Sequence, residues 1–196
     1  MSNNNQGYVQ VYTGNGKGKT TAALGITMRA SGAGMKVAFI QFMKALGYSE
    51  QKILPTLPGV TWKTLGKPFF IAKAGSISEE ELAGYGDACV VFEEGNPPED
   101  YVKMIADGFA EAREIVLSGE YDMVVLDEIN CVMYFGLLGV DEVLDLIRNK
   151  PAHTELILTG RCAPDEIIEA ADLVTEMREI KHYYNEGVEA RKGIEN

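Results

Sequence analysis

The chain has 196 residues, 46% of them hydrophobic, enough for one cooperative core and too few for two comfortable ones. Its 18 Lys and Arg stand against 29 Asp and Glu, and a net charge of -11 repels nucleic acid and anionic membrane surfaces. No run approaches the roughly 20 apolar residues of a spanning helix, and the start Met-Ser-Asn-Asn-Asn-Gln lacks a signal-peptide pattern, so a cytoplasmic protein is expected.

In chain order, residues 7–13 (Gly-Tyr-Val-Gln-Val-Tyr-Thr) predict a first strand, followed by a glycine-rich turn and a helix from Thr20 to Ala30. That helix carries Leu24, Ile26 and Met28, and Gly32 and Gly34 end it. Residues 36–42 form the continuous apolar run of a buried parallel strand. From Lys44 to about Ser78 the pattern is weak and broken by Pro55, Pro58 and Pro68; Val60 to Leu65 reads as a short strand and the rest as a substrate-side excursion. Ser78 and Glu81 suggest a capping box on a short helix, and Glu93 and Glu94 a solvated face. Pro98 opens a long helix whose Tyr101, Ile105, Phe109, Ala112 and Val116 make one core-facing stripe, and Gly119 ends it. Strands are expected at 121–127, 154–159 and 172–177, with helical material through Phe135, from Val140 to Arg148 and from Pro164 to Ala171. The tail from Arg178 onward has no clear periodicity. This alternation predicts a single-domain α/β fold over 1–196, with a mostly parallel central sheet flanked by helices.

Cys89, Cys131 and Cys162 are odd in number and far apart, which predicts reduced, mostly buried side chains rather than a disulfide framework or a metal site. His153, before a strand, is expected to be structural or exposed; His182 is a candidate ligand contact.

The turn at residues 14–20, Gly-Asn-Gly-Lys-Gly-Lys-Thr, carries the strongest chemical signal. The P-loop pattern G-x-x-x-x-G-K-[ST] is met except that Thr13 stands at its first position. Gly14, Gly16 and Gly18 are close enough to turn successive backbone N–H groups inward as an anion nest. Lys19 adds a mobile positive charge, and the Thr20 hydroxyl is placed to ligate magnesium at the helix start. Asp127 and Glu128 end an apolar strand, where one carboxylate would hold the metal or its water; the sequence does not choose between them. Arg161, just past another strand, suits either a guanidinium fork on polyphosphate or a cap on the sheet edge.

A P-loop identifies phosphate binding and leaves the reaction open. The N-K-x-D guanine motif is absent, since the Asn149-Lys150 pair continues Pro-Ala. A small-molecule kinase and a non-catalytic, nucleotide-responsive binding protein remain alternatives at this stage.

The set of blocks as a whole resembles the P-loop ATP:corrinoid adenosyltransferases. Residues 13–23 (Thr-Gly-Asn-Gly-Lys-Gly-Lys-Thr-Thr-Ala-Ala), 41–44 (Gln-Phe-Met-Lys), 123–129 (Met-Val-Val-Leu-Asp-Glu-Ile) and 157–161 (Ile-Leu-Thr-Gly-Arg) carry the likeness. The tail, with Lys181, His182 and residues 192–195 (Lys-Gly-Ile-Glu), also fits, and Thr13 before the turn is the family form. The resemblance implies transfer of the 5′-deoxyadenosyl group of ATP to the cobalt(I) of a corrinoid, with triphosphate as leaving group and ATP lying in a reversed sense on the loop. It further implies that Gly14, Asn15, Gly16, Lys17, Gly18, Lys19, Thr20 and Thr21 hold the polyphosphate. Gln41, Lys44, Lys181 and His182 would form the nucleotide or corrinoid side. Thr20 with Asp127 or Glu128 would hold Mg2+ or Mn2+, and Lys19, Thr20, Glu128 and Arg161 would act on the reacting groups. A homodimer and a flavoprotein or other reductase as electron donor are implied as partners. Two departures stand out. The family's Gly-Phe-x-Trp segment has no clean counterpart at 65–71, where Phe69 or Phe70 would replace it and Trp62 is expected to pack in the core or at an interface. The extended N-terminal arm that covers the site in the best-known members is also missing, since only six residues precede Gly7. Enclosure would then fall to residues 44–78, to a neighbouring subunit, or be less complete.

Overall fold

The computed structural model describes residues 6–195, except for the side chains of Glu80, Glu81 and Asp87; the expected Ser78–Glu81 capping box therefore lies outside the described residues. Among the described residues eight strands are present: β1 (Val9–Thr13), β2 (Val37–Phe42), β3 (Val60–Leu65), β4 (Phe70–Lys73), β5 (Cys89–Phe92), β6 (Met123–Asp127), β7 (Glu155–Thr159) and β8 (Leu173–Glu176). The six helices are α1 (Lys19–Gly32), α2 (Glu79–Tyr85), α3 (Glu99–Leu117), α4 (Ile129–Tyr134), α5 (Val140–Asn149) and α6 (Asp165–Ala170). Six strands make one sheet in the order β3-β2-β6-β7-β1-β8, with every neighbouring pair parallel.

Alternation along the strands sorts side chains to two faces. Ala38, Ile40, Phe42, Val124, Leu126, Leu156 and Leu158 pack with the stripe of α3 and with residues of α4, α5 and α6. Val37, Phe39, Met123, Val125 and Ile157 pack under α1. All five residues of the predicted α3 stripe are buried. The two layers of helices bury the central strands on both sides, which is why those strands read as unbroken apolar runs.

The face that α1 turns to the sheet is made of small and polar residues. Its buried positions are Lys19, Ala23, Thr27, Ala30 and Ser31, while Met28 is 62% exposed. Small residues let the helix lie close to the sheet, and the bulky Leu24 and Ile26 flank the contact.

Strands β4 and β5 were not expected. They form a separate two-stranded parallel pair, from Phe70↔Cys89 to Lys73↔Phe92; β4 lies inside the weakly patterned stretch 44–78 and β5 beyond it. Of their residues Ile71, Ala72 and Phe92 are buried, so a pattern four residues long left little period to detect. β8 falls within the strand expected at 172–177, and all four of its residues are exposed because it closes the sheet's edge. The cysteines are free, as expected, but not mostly buried: Cys89 and Cys131 are half-buried and Cys162 is exposed. No described helix is long and apolar enough to cross a membrane.

Candidate functional site

β1, β6 and β7 run parallel, so their carboxyl ends gather at one edge of the sheet, where ligands of open α/β folds bind. The glycine-rich turn leaves β1 there, Asp127 and Glu128 end β6, and Thr159 ends β7. A cavity of about 500 Å³ at this edge is lined by Gly16 to Thr21, Leu24, Lys44, Tyr48, Ser49, Glu50, Glu128, Arg161, His182, Gly193, Ile194 and Glu195.

Thr13 is still a strand residue, paired with Glu176, and its carbonyl accepts from Met177 N at 2.8 Å. The first P-loop position needs no left-handed backbone here, which explains the tolerance for threonine. Gly14 and Gly18 do need it, at φ 94° and 122°. Gly16 is required for a different reason, because a Cβ there would lie 2.7 Å from Met177 O and 2.8 Å from Arg178 O. Its N–H donates to Met177 O at 2.7 Å and is not part of the anion nest, a correction to the expectation that all three glycines turn their N–H groups inward. The start of α1 adds donors for phosphate, since its first N–H groups have no intrahelical partner and its cap Gly18 supplies no side chain. Gly16→Ala is expected to destabilise the protein by about 2 kcal/mol through this backbone clash. A denaturation midpoint equal to the parent's would refute the packing argument.

Lys19 folds back over the turn, its Nζ donating to Gly14 O at 2.7 Å and Gly16 O at 2.9 Å. Burial, with the neighbouring Arg161 charge, lowers its pKa below the ordinary lysine value. The ammonium is therefore held in place by neutral carbonyls rather than by a paired carboxylate.

Asp127 is fully buried and densely bonded. Its Oδ1 accepts from Thr159 Oγ1 at 2.6 Å and Thr20 Oγ1 at 3.0 Å; its Oδ2 accepts from Lys44 Nζ at 3.0 Å and Gln41 Nε2 at 3.2 Å. Thr159 also accepts from Glu128 N at 3.0 Å, so the tip of β7 fixes the β6 end from the side. Glu128 takes a left-handed backbone, φ 64°, as the chain turns into α4, and its carboxylate reaches the cavity wall. Burial and the adjacent Asp127 raise its pKa, while the Cys131 thiol donates to its Oε2 at 2.9 Å.

The oxygen set of Thr20, Asp127 and Glu128 suits a hard cation that completes its shell with phosphate and water. Among the described residues no cluster of three or more His, Cys, Asp or Glu could hold a metal alone, so the protein's share of any such shell would be one hydroxyl and one or two carboxylates. The fit is good on those terms, because Asp127 already gathers a hydroxyl and a cation around buried oxygens.

The other expected residues divide. Lys44 lines the cavity, whereas Gln41 lies fully buried behind it, accepting from Trp62 Nε1 at 3.1 Å. Trp62 packs against the core under α1, as expected, with that hydrogen bond in addition. Lys17 lines the cavity, but its ammonium is engaged by Glu195 Oε1 at 2.7 Å and Tyr183 Oη at 3.1 Å. Gly14 and the exposed Asn15 belong to the turn but not to the cavity wall, and Lys181 pairs with Glu186 at 3.2 Å outside it. Phe69 packs on Tyr101, ring centroids 5.8 Å apart, and Phe70 is 55% exposed beside Tyr85; neither lines the cavity. His153 is exposed and its Nε2 bonds Gly119 O at 3.1 Å, a structural contact.

Tyr48, Ser49 and Glu50 are cavity residues from the stretch expected as a substrate-side excursion, and Ile194 and Glu195 come from the tail block 192–195; none of the five was assigned a role of its own. Glu50 belongs to a 3-10 turn, Ser49–Lys52, inside the weakly patterned excursion. The tail returns across the P-loop because Glu195 binds Lys17, Arg191 and Tyr183 together.

A family model described as ATP:corrinoid adenosyltransferase BtuR/CobO/CobP matches residues 5–196. Similar proteins include the corrinoid adenosyltransferase of Pseudomonas aeruginosa, 33% identical, with 97% of this chain and 84% of that one aligned. Corrinoid adenosyltransferase CobA of Salmonella typhimurium is 32% identical over 97% of this chain and 86% of its own, and a Sinorhizobium corrinoid adenosyltransferase 34% over 97% and 80%. A P-loop, a buried carboxylate beside it and a match that runs nearly end to end together show that this chain belongs to the ATP:corrinoid adenosyltransferase family.

Proposed function

We propose that this site performs the family's ATP-dependent adenosyl transfer with the α1 start, Lys19 and Arg161 on the triphosphate and the corrinoid ring approaching from the open side of the cavity. Cobalt(I) attacks C5′ of ATP; a cobalt–carbon bond forms, the C5′–oxygen bond breaks, and the oxygen leaves as triphosphate. Cobalt(I) is a strong nucleophile, so the protein needs no serine, cysteine or general base. Its contribution is alignment and stabilisation of charge on the leaving group. The observation that carries this reading is the convergence of Lys19, Thr20, Asp127 and Arg161 at the end of β1, β6 and β7 in a chain of this family.

Arg161 forms no ion pair among the described residues and lines the cavity, which favours the phosphate role over a sheet-edge cap. Thr20 and Asp127 would hold Mg2+ or Mn2+, with Glu128 beside them; such an ion neutralises phosphate charge and fixes the chain's direction. Gln41 then acts as a positioning residue behind Asp127. Phe70, exposed, is the aromatic left for the corrinoid side, since Phe69 is committed to packing on Tyr101. The same reading includes a single domain over 1–196, a cytoplasmic homodimer and a flavoprotein or other reductase that delivers cobalt(I).

Supplying chemically reduced corrinoid and ATP should give a light-sensitive cobalt–carbon product and stoichiometric triphosphate. ADP with a phosphorylated acceptor would point to a kinase, and tight binding of both substrates without product to a delivery protein; either result overturns the proposal.

A further inference from the structure

Lys44 follows β2 immediately after Met43, whose left-handed backbone, φ 57°, turns the chain back toward the P-loop. Its Nζ lies 3.1 Å from Thr20 Oγ1, 3.0 Å from Asp127 Oδ2 and 3.6 Å from Glu50 Oε1, with the Tyr48 ring centroid at 5.3 Å. The side chain is 12% exposed. One ammonium thus contacts both protein groups that the metal reading assigns to a divalent cation.

The geometry points to Lys44 as a tethered occupant of the divalent-cation position, whose ammonium bridges Thr20 and Asp127 and must leave them before a metal ion takes both. This inference rests on the reading of Thr20 and Asp127 as the metal site. A second positive ion cannot share those oxygens at such range without strong repulsion, and the buried position offers little screening. The displaced ammonium needs a new counter-charge. A triphosphate lying on the α1 start provides one on the same side of the cavity, where Lys44 and the loop residues already share a wall. Metal entry therefore depends on nucleotide, and the free protein is kept from taking up divalent ions in an unproductive state.

The test is retention of Mn2+ by the full-length protein in ultrafiltration, for the metal alone and for the metal with ATP, in the wild type, Lys44→Met and Lys52→Met. Lys52 is an exposed lysine on the same segment and controls for a general loss of positive charge. The wild type should bind Mn2+ at least about tenfold more weakly alone than with ATP. Lys44→Met should bind Mn2+ alone at least about tenfold more tightly than the wild type, with Lys52→Met unchanged. Equal retention by the wild type with and without ATP overturns the gate while leaving the metal site standing, and so does an equal gain in both variants. No retention by any form, with or without ATP, overturns the metal reading and the gate together. Because ATP itself chelates Mn2+, the gain of folded Lys44→Met for Mn2+ alone decides, and its absence overturns the gate; if circular dichroism and a melting curve show that Lys44→Met does not fold, Lys44→Gln is read in its place.

Discussion

Lys19→Ala should lower kcat/KM for adenosyl transfer by about 10³-fold, equivalent to ~4 kcal/mol of transition-state stabilisation, while the nucleotide-free protein melts within a few degrees of the parent. The two halves of this expectation have one cause. In the free protein Lys19 is only 7% exposed, and its hydrogen bonds go to Gly14 O and Gly16 O, neutral carbonyls that supply no counter-charge. Burial and Arg161 disfavour its charged form, so the ammonium adds little to folding. A triphosphate leaving group reverses that balance, since negative charge grows on it as the C5′–oxygen bond breaks and a nearby desolvated ammonium then acts at full strength. Following photolabile product under saturating corrinoid separates the effect from corrinoid binding. A variant that retains activity within about threefold of the parent would remove Lys19 from the reaction. Lys19→Arg is not expected to rescue, because a planar fork does not fit between two carbonyls that a point charge now bridges.

The layers of the fold were legible because burial on both faces leaves a strong mark in sequence. Strands such as β2 and β6 are apolar without interruption, and the α3 stripe repeats with helical period. The phosphate turn was legible because conformation constrains residue type at Gly14 and Gly18, where φ is positive. What escaped was set by contacts distant in sequence. Gly16 looks like part of the nest, but its N–H and its lack of Cβ serve the approach of Met177, 161 positions later. Lys17 looks like a phosphate ligand in a lysine-rich loop, yet it holds the tail through Glu195. Gln41 sits next to the site in sequence logic and behind it in space, as part of the bonding around Asp127. The choice between Asp127 and Glu128 also could not be read from their adjacency. Side chains at successive positions of a strand end face different ways: Asp127 points into a set of four donors, while Glu128 turns through a left-handed residue to the wall.

Asp127→Ala is expected to cost roughly 3–5 kcal/mol of stability, well beyond an ordinary polar deletion, because it leaves the Lys44 ammonium buried without its main partner. Three further donors, from Thr20, Thr159 and Gln41, lose the same acceptor, and the fully buried Gln41 has little access to water. Activity should fall with it, since Thr20 would no longer be held toward the metal position. Stability alone does not distinguish a charge pair from a packing defect, but a double-mutant cycle does. If the pair dominates, Lys44→Met in the Asp127→Ala background removes the orphaned charge and should recover about 2 kcal/mol, although Lys44→Met alone destabilises the parent by exposing the opposite imbalance. Asp127→Asn should fall between, keeping one acceptor for Thr159 and Thr20 but no charge for Lys44. Urea unfolding of the four proteins of the cycle measures the coupling directly, and losses that simply add would show that Asp127 organises this edge of the sheet through its hydrogen bonds to the two threonines and Gln41 rather than through Lys44.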